Sequence, residues 1–469
     1  MFMGSEKKKS ALTAGIGYTI GNILIKGINF LTLPLFSRLM TQDEFGVFNV
    51  FMSYDAILFV IVGLALHTSI RNANLEFPGK IDSYTSSITL IYLLMAALFS
   101  MLVLLFGETL AQLLAFEEKV LYMLIIYSAG SSLLLLYNTR ISLDYSYKKY
   151  LLVSMINSVG NVALSLVLIL TVFRQDRAYG RIVGVTTVIT LLTVCLLIAM
   201  YRKARPRFNG AYWRFGLKFS LPIVPHGVSQ VLLAQFDRIM IRNMVSDAAA
   251  GIYSLAANIK LILIVITTSI SEAWSTWFYS RMENQERGLI RTRATQLCCM
   301  FTILTVGLIA ISPEMVLILG GRAYDSAKYV AIPMILDSFI LFLFDVIATG
   351  EYYSKKTVYI MLGTMAAAVL NIVLNYVFIL KYGFLAAAYT TLFAYVCYLL
   401  LHLVISRQLI GFWILPIRWF LTFSAISAGM AAVSLLLVDR LLLRWSICAA
   451  LVIPMAILLL RSMKQAEKS

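Results

Sequence analysis

Charge is scarce in this chain. Asp, Glu, Lys and Arg make up 13% of its 469 residues, whereas a soluble globular domain carries about 25%. That is too little to coat a water-facing surface, so an ordinary soluble domain is excluded. The net charge is +16, but no Lys/Arg-rich arm with interleaved aromatics occurs, which argues against nucleic acid as a partner. The five cysteines, Cys195, Cys298, Cys299, Cys397 and Cys448, lie in apolar runs without metal-ligand spacing, so they read as small packing residues rather than metal or redox groups. HExxH, nucleophile-elbow, Walker and CxxC motifs are all missing, so no metal site is expected. No loop exceeds roughly 20 residues, the length of one span, which leaves no room for a soluble catalytic domain. The opening MFMGSEKKKSALTAG lacks a small-residue cleavage site after its first apolar run and reads as the start of a retained span.

Apolar sequence is what the chain has in quantity. Hydrophobic residues make up 60% and the mean hydropathy is +0.85. Windows of about 20 apolar residues, enough to cross a bilayer, fall at 12–36, 46–70, 84–106, 119–140, 150–173, 181–201, 215–240, 250–280, 290–311, 328–350, 357–380, 383–406, 416–438 and 441–461. The pattern predicts an all-α polytopic membrane protein with about fourteen spans; 12–36, 215–240 and 250–280 are polar enough for a hydropathy scan to miss. Basic residues divide roughly two to one in favour of the side holding Lys7–Lys9, Arg202–Lys218 and Arg281–Arg293, which predicts cytoplasmic N- and C-termini. The polar stretch 201–218 reads as a linker.

The chain also repeats itself. LMTQDEFGVF (39–48) matches MVSDAAAGIY (244–253), and each copy offers a Ser or Thr to cap a new helix, the first within a Thr41-x-x-Glu44 capping box. NVALSLVLIL (161–170) matches NIVLNYVFIL (371–380), Tyr179-Gly180 matches Tyr382-Gly383, and Lys148-Lys149 matches Lys355-Lys356. Their common order predicts a parallel repeat of two six-span bundles around a central cavity. The expected domains are 1–205, 206–410, and 411–469 for two appended spans and a tail.

Ionisable residues within spans are costly and point to function. Lys26 and Lys260 lie deep in the first and eighth spans, and Asp55 is the repeat counterpart of Lys260. Two readings are open: cations lining a wet cavity that attracts an anion, or structural ion pairs such as Lys26 with Asp55. Asp337 and Asp345, eight residues apart on one face, and Glu272 are candidates to carry a coupled H+ or Na+, or to be hydrogen-bonded packing groups. His67 and Arg71 close the second span as cavity or interfacial residues. The seventh span carries Pro222, Pro225 and Gly227, which break the helix and make a hinge candidate. Beside them stands His226, either titrating or packed. Asp237-Arg238 lies near the outer end as gate or interface.

GYTIGNILIKGINFLTLPLFSRLMTQDEFGVFNVF and SLPIVPHGVSQVLLAQFDRIMI followed by GIYSLAANI resemble the polysaccharide transporter family, the O-antigen-type flippases of the multidrug/oligosaccharidyl-lipid/polysaccharide flippase superfamily. The resemblance covers about 12–407. It implies two bundles that alternate between inward-open and outward-open states and move an undecaprenyl-pyrophosphate-linked oligosaccharide across the inner membrane. It further implies Lys26 and Lys260 as cavity cations, with Arg38 and Arg238 near the outer end. Polysaccharide polymerase and glycosyltransferases would be partners, alongside membrane lipids. The alternatives are a multidrug cation antiporter of the same superfamily, which should have a more acidic cavity, and a membrane-embedded polymerase or lipid-sugar transferase, which needs an extramembrane acid/base pair.

Overall fold

The computed structural model describes residues 30–464 in full, the backbone of 465 and 466, and single positions at 17, 21, 24, 25, 27 and 28. Every regular element among the described residues is helical, and twelve helices are long and apolar enough to cross a membrane. The protein is therefore a multi-pass membrane protein. Of the fourteen expected spans, 12–36 lies partly outside the described residues, and 215–240 forms helix but falls short on apolarity. The stretch 250–280 does qualify, contrary to expectation, because the run from Leu261 to Ile266 outweighs the polar residues around it.

The chain divides into two compact units, Met1–Gln235 and Phe236–Ser469. The first contains α1 (Leu33–Leu39), α2 (Gln42–Gly63), α3 (Ile70–Glu76), α4 (Ile81–Leu114), α5 (Glu118–Ser142), α6 (Tyr147–Thr171), α7 (Arg177–Lys203) and α8 (Gly210–Ser220). Helix α9 (Val224–Met244) passes from the first unit into the second. The second continues with α10 (Asp247–Glu283), α11 (Arg287–Gly320), α12 (Ala327–Tyr353), α13 (Thr357–Tyr382), α14 (Leu385–Ile410), α15 (Ile417–Leu436) and α16 (Leu441–Ala466).

Both capping sites of the repeat are formed. Thr41 Oγ1 accepts the Glu44 amide at 3.2 Å while the Glu44 carboxylate accepts the Thr41 amide at 2.8 Å. Ser246 Oγ accepts the Ala249 amide at 3.1 Å. Each satisfies backbone donors that a helix start leaves unpaired. In each unit the helix at the fourth span position is the most enclosed: 67% of the apolar window of α5 is buried and 89% of that of α12. The Tyr-Gly match does not extend to the backbone, since Gly383 ends α13 with φ +73° whereas Gly180 lies within the first turn of α7.

Two local features depart from the sequence reading. The second span stops at Gly63, short of residue 70, because Leu64 and Ala65 both take left-handed backbone (φ 47° and 50°). That conformation costs a non-glycine residue about 1–2 kcal/mol. Burial of Leu66, Ile70 and Ala73 in the core just beyond opposes this cost. The stretch read as a linker forms α8, capped by Asn209, whose side chain accepts from the amides of Ala211 (3.0 Å) and Tyr212 (3.2 Å). Tyr212 and Phe215 pack on Phe77 and Tyr84, so α8 is part of the first unit's core.

Outward-facing leucines fit a lipid surround. Leu94, Leu98, Met101 and Leu105 of α4 are all exposed, and only 11% of the apolar window of α16 is buried.

Candidate functional site

Helix α10 begins at a fixed cap, which sets the depth of everything after it. Lys260 lies thirteen residues beyond Asp247, about 20 Å along the axis. There its Nζ meets the Asp337 carboxylate of α12 at 3.1 and 3.3 Å. The Lys260 side chain is 12% exposed and that of Asp337 1%. Ser338 Oγ adds a 3.3 Å bond to Asp337. A lone charge at this depth costs several kcal/mol, and pairing offsets most of that cost. The structure thus joins two residues that the sequence reading singled out separately, and the charge of Lys260 is compensated.

A second cluster surrounds Asp237 of α9, which is 3% exposed. Its carboxylate accepts from Tyr253 Oη (2.5 Å), Thr391 Oγ1 (2.7 Å) and Asn375 Nδ2 (2.7 Å). Asn371 Nδ2 donates to Thr391 at 2.8 Å, and Thr390 donates to Asn375 Oδ1. Lys260 and Arg238 both lie within electrostatic range of Asp237, and Asp237 and Asp337 lie within range of each other. The Asp237 cluster presents carboxylate, amide and hydroxyl oxygens close together, a hard donor set suited to a proton or a small hard cation rather than a soft metal.

Asp345, two turns along α12, accepts from Ser271 Oγ at 3.1 Å, and Trp274 Nε1 donates to the Val346 carbonyl at 3.3 Å. Glu272, next to Ser271, is exposed. Further along α12, Glu351 Oε1 lies 2.7 Å from His402 Nδ1, with both side chains fully buried. Gly363 makes room for this pair: a Cβ there would fall 2.2 Å from His402 Nε2.

In the first unit Asp55 is buried and accepts from Ser128 Oγ at 2.7 Å. Arg38, at the end of α1, and Arg71, on α3, are both exposed. The seventh span breaks as its prolines require, with a 3-10 turn at Leu221–Ile223 between α8 and α9. Pro222 and Pro225 are exposed, and Gly227 lets α9 approach Val60, since a Cβ there would lie 3.2 Å from it. His226 is half-buried, with Nδ1 lacking a hydrogen-bond partner among the described residues. Arg238 is half-buried beside Asp237. Lys26 lies outside the described residues.

Sequence reasoning missed Tyr253, Asn371, Asn375, Thr390 and Thr391, because neutral polar residues in an apolar span look unremarkable one at a time. The i, i+4 spacing of Asn371 and Asn375 was the available signal, since it places both on one helix face. Arg181 lies in the second turn of α7. Its guanidinium stacks on Phe36 (3.7 Å) and Phe48 (3.8 Å), which ties α7 to α1 and α2.

Residues 12–278 match the model of a family described as polysaccharide biosynthesis protein. Among curated proteins, the Lsg locus protein 1 of Haemophilus influenzae is 22% identical over 350 residues, which covers 72% of this chain and 84% of that one. Among solved structures, the lipid II flippase MurJ in an inward closed conformation superposes with a TM-score of 0.75 at 16% identity, covering 96% of this chain and 99% of that one. An inward-facing multidrug resistance MATE family transporter of the MOP superfamily gives a TM-score of 0.64 at 12% identity, covering 85% and 98%. At these identities the structural matches establish the fold.

Proposed function

The chain belongs to the polysaccharide biosynthesis protein family, and from that premise we propose that it is an ion-coupled flippase for a polyprenyl-pyrophosphate-linked oligosaccharide. Its place would be the inner membrane, with both termini cytoplasmic, and its substrate would pass from the cytoplasmic to the outer leaflet by alternating access. Glycosyltransferases would supply the lipid-linked glycan and a polymerase would consume it.

The observation that carries this reading is the group of two buried carboxylates, Asp237 and Asp337, with the largely enclosed Lys260 paired to the second. Two buried carboxylates stand here with Lys260 and Arg238 in electrostatic range, so a proton or a small cation that joined them would change the charge of the group. Binding and release of that ion would bias the second unit between two states. The fold it shares with a lipid II flippase supports a lipid-linked cargo.

The test is reconstitution of the full chain in proteoliposomes with undecaprenyl-pyrophosphate-linked oligosaccharide. Glycan accessibility in the outer leaflet would be followed with and without an imposed H+ or Na+ gradient. Gradient-dependent flipping is the expected result. Export of an organic cation with no movement of the glycan lipid would replace the proposal with the multidrug antiporter.

A further inference from the structure

Helix α14 carries a buried polar row along the side that packs on α12 and α13. Thr391, Tyr395, Tyr398 and His402 follow one another at intervals of four, three and four residues, which places them on one face of the helix. They are 2%, 4%, 5% and 0% exposed. The row runs eleven residues, about 16 Å of helix. At one end Thr391 Oγ1 donates to the Asp237 carboxylate. At the other stands the Glu351–His402 pair, with Glu351 two residues before α12 ends. Exposed Lys355, Lys356 and Arg407 lie just beyond, the charge pattern of a cytoplasmic end.

Two atoms of the pair are orphaned. Glu351 Oε2 and His402 Nε2 are buried without a hydrogen bond among the described residues, whereas buried polar atoms are as a rule paired. The titratable groups around the pair are Tyr398 on α14 and Asp345 and Tyr352 on α12, with Tyr279 of α10 in range of Tyr352. Helix α13 presents Gly363 and Thr364, and its one charged residue, Lys381, is at its far end. Gly363 keeps the joint between His402 and Tyr398 clear: a Cβ there would lie 2.2 Å from His402 Nε2 and 3.2 Å from Tyr398 Cε2. Thr364 Oγ1 gives its own hydrogen to the Ile360 carbonyl (2.7 Å), so the Tyr398 hydroxyl is the donor in their 2.9 Å bond. Tyr395 lies in electrostatic range of Tyr398 on one side and of Asp237 and Asp337 on the other, which completes the series.

We propose that this row carries the coupling proton between the basic end of the second unit and the Asp237 and Asp337 carboxylates, with Glu351–His402 as its port. Hydroxyl, carboxyl and imidazole groups both donate and accept, which is the chemistry of a proton relay. Residues this enclosed leave no passage for a hydrated metal ion. The steps start from the form in which Glu351 Oε1 holds the proton shared with His402 Nδ1. As a proton joins Glu351 Oε2, the one on Oε1 crosses to Nδ1, and Nε2 gives its own to Tyr398 Oη. The Tyr398 hydroxyl proton passes to Tyr395, whose proton goes to Asp337 or Asp237. Each intermediate group regains the proton it gives, so the net change is one proton moved from water to a carboxylate, and the reverse steps return it. Here the Tyr398 proton is committed to Thr364, so a turn of that hydroxyl gates the row. The path rests on the ion coupling proposed for Asp237 and Asp337.

The experiment places the full chain in proteoliposomes with undecaprenyl-pyrophosphate-linked oligosaccharide and an internal pH-sensitive dye. Proton flux and glycan flipping are recorded together under an imposed H+ or Na+ gradient. Tyr398→Phe and Tyr395→Phe each delete one oxygen and keep the ring. Each should slow H+-driven flux by about a hundredfold, the low end of what one positioned proton-transfer group contributes. Tyr389→Phe makes the same change at an exposed position of α14 and should keep the parental rate. Glu351→Gln removes the acid at the port and should slow flux like the tyrosine variants; if it does not fold, those variants decide alone. A relay also separates rate from extent. After a pH jump in detergent, the tyrosine variants should take up as many protons as the parent, only more slowly, because the receiving carboxylates are intact. Parental flux in both tyrosine variants would overturn the path and leave the ion coupling standing. Flipping driven by Na+ alone would do the same, and flipping indifferent to both gradients would overturn path and coupling together.

Discussion

Lys260 and Asp337 join α10 to α12, 3.1 Å apart, at the register where Asp55 and Ser128 join α2 to α5 at 2.7 Å in the first unit. The offsets between the paired positions are 205 and 209 residues, within the drift of the sequence repeat. One half holds a neutral donor on a carboxylate, and the other holds a full ion pair. Three turns on along α10 and two along α12, Ser271 pairs with Asp345, whereas the residues at the same offsets in the first unit, Leu66 and Leu136, are apolar core. The halves share a frame and differ in where they carry charge.

Removal of one partner from a buried pair leaves the other uncompensated, at about 3–5 kcal/mol. Lys260→Ala should therefore lower the melting temperature more than the double variant Lys260→Met/Asp337→Leu, which leaves no lone charge. Flipping should be lost in both. Thermal unfolding in detergent, set beside proteoliposome transport, separates the two effects. A double variant that still couples transport to an ion gradient would remove this pair from the mechanism.

Asp237 accepts three hydrogen bonds on its two oxygens, and Asp237→Asn keeps the size of the side chain, removes its charge and leaves one of the two acceptor oxygens. The variant should fold normally and lose at least about tenfold of its gradient-driven rate, an effect of about 1.4 kcal/mol. Initial flipping rates with and without the gradient give the answer. The same stimulation by the gradient in variant and parent would rule Asp237 out as the coupling carboxylate.

Gly363 sits where a methyl group would collide with the His402 ring. Gly363→Ala should push His402 off Glu351 and destabilise the second unit by about 1–3 kcal/mol, the usual range for overpacking. In a His402→Ala background, which already leaves Glu351 without its partner, Gly363→Ala should add little further loss, because the methyl group then has space. Melting temperatures of the single and double variants test this, and additive losses would argue against the clash.

Pro222 lies within the short 3-10 turn that separates α8 from α9, and Pro225 follows in the first turn of α9. The double variant Pro222→Ala/Pro225→Ala restores two backbone donors and favours one continuous helix. If the break is a hinge, turnover should fall several-fold while the protein remains monodisperse. Transport at the parental rate would reduce the prolines to local packing.

Span positions, the duplicated halves and both helix caps were legible in the sequence because each rests on a local rule: apolar length, repeated order, or a hydroxyl ahead of a helix. Thr41 with Glu44 and Ser246 show this directly. The polar clusters were less legible, because they depend on which helices touch. Asp237, Lys260 and Asp337 stood out singly by their charge, but their grouping requires α9, α10 and α12 side by side. Asn371, Asn375, Thr390 and Thr391 carry no charge and gave no such warning. The second copy of the repeat does bear Asn375 where the first has Ser165, and position 32, opposite Asp237 at the offset of 205, is a threonine. Arg444 falls inside the last expected span without standing out in the sequence, and its fit against Glu314 and three carbonyls reveals it as a buried clamp.

The enclosure of α12 has a consequence for how the protein is made. A carboxylate at the centre of a helix opposes insertion by about 2.5–3.5 kcal/mol, and α12 carries both Asp337 and Asp345. The ribosome completes α10 first, so Lys260 already waits in the membrane when Asp337 leaves the exit tunnel. Biogenesis of the second half thus has a built-in sequence of events in which an earlier segment receives a later one, and a chain translated without α10 should leave α12 stranded at the translocon.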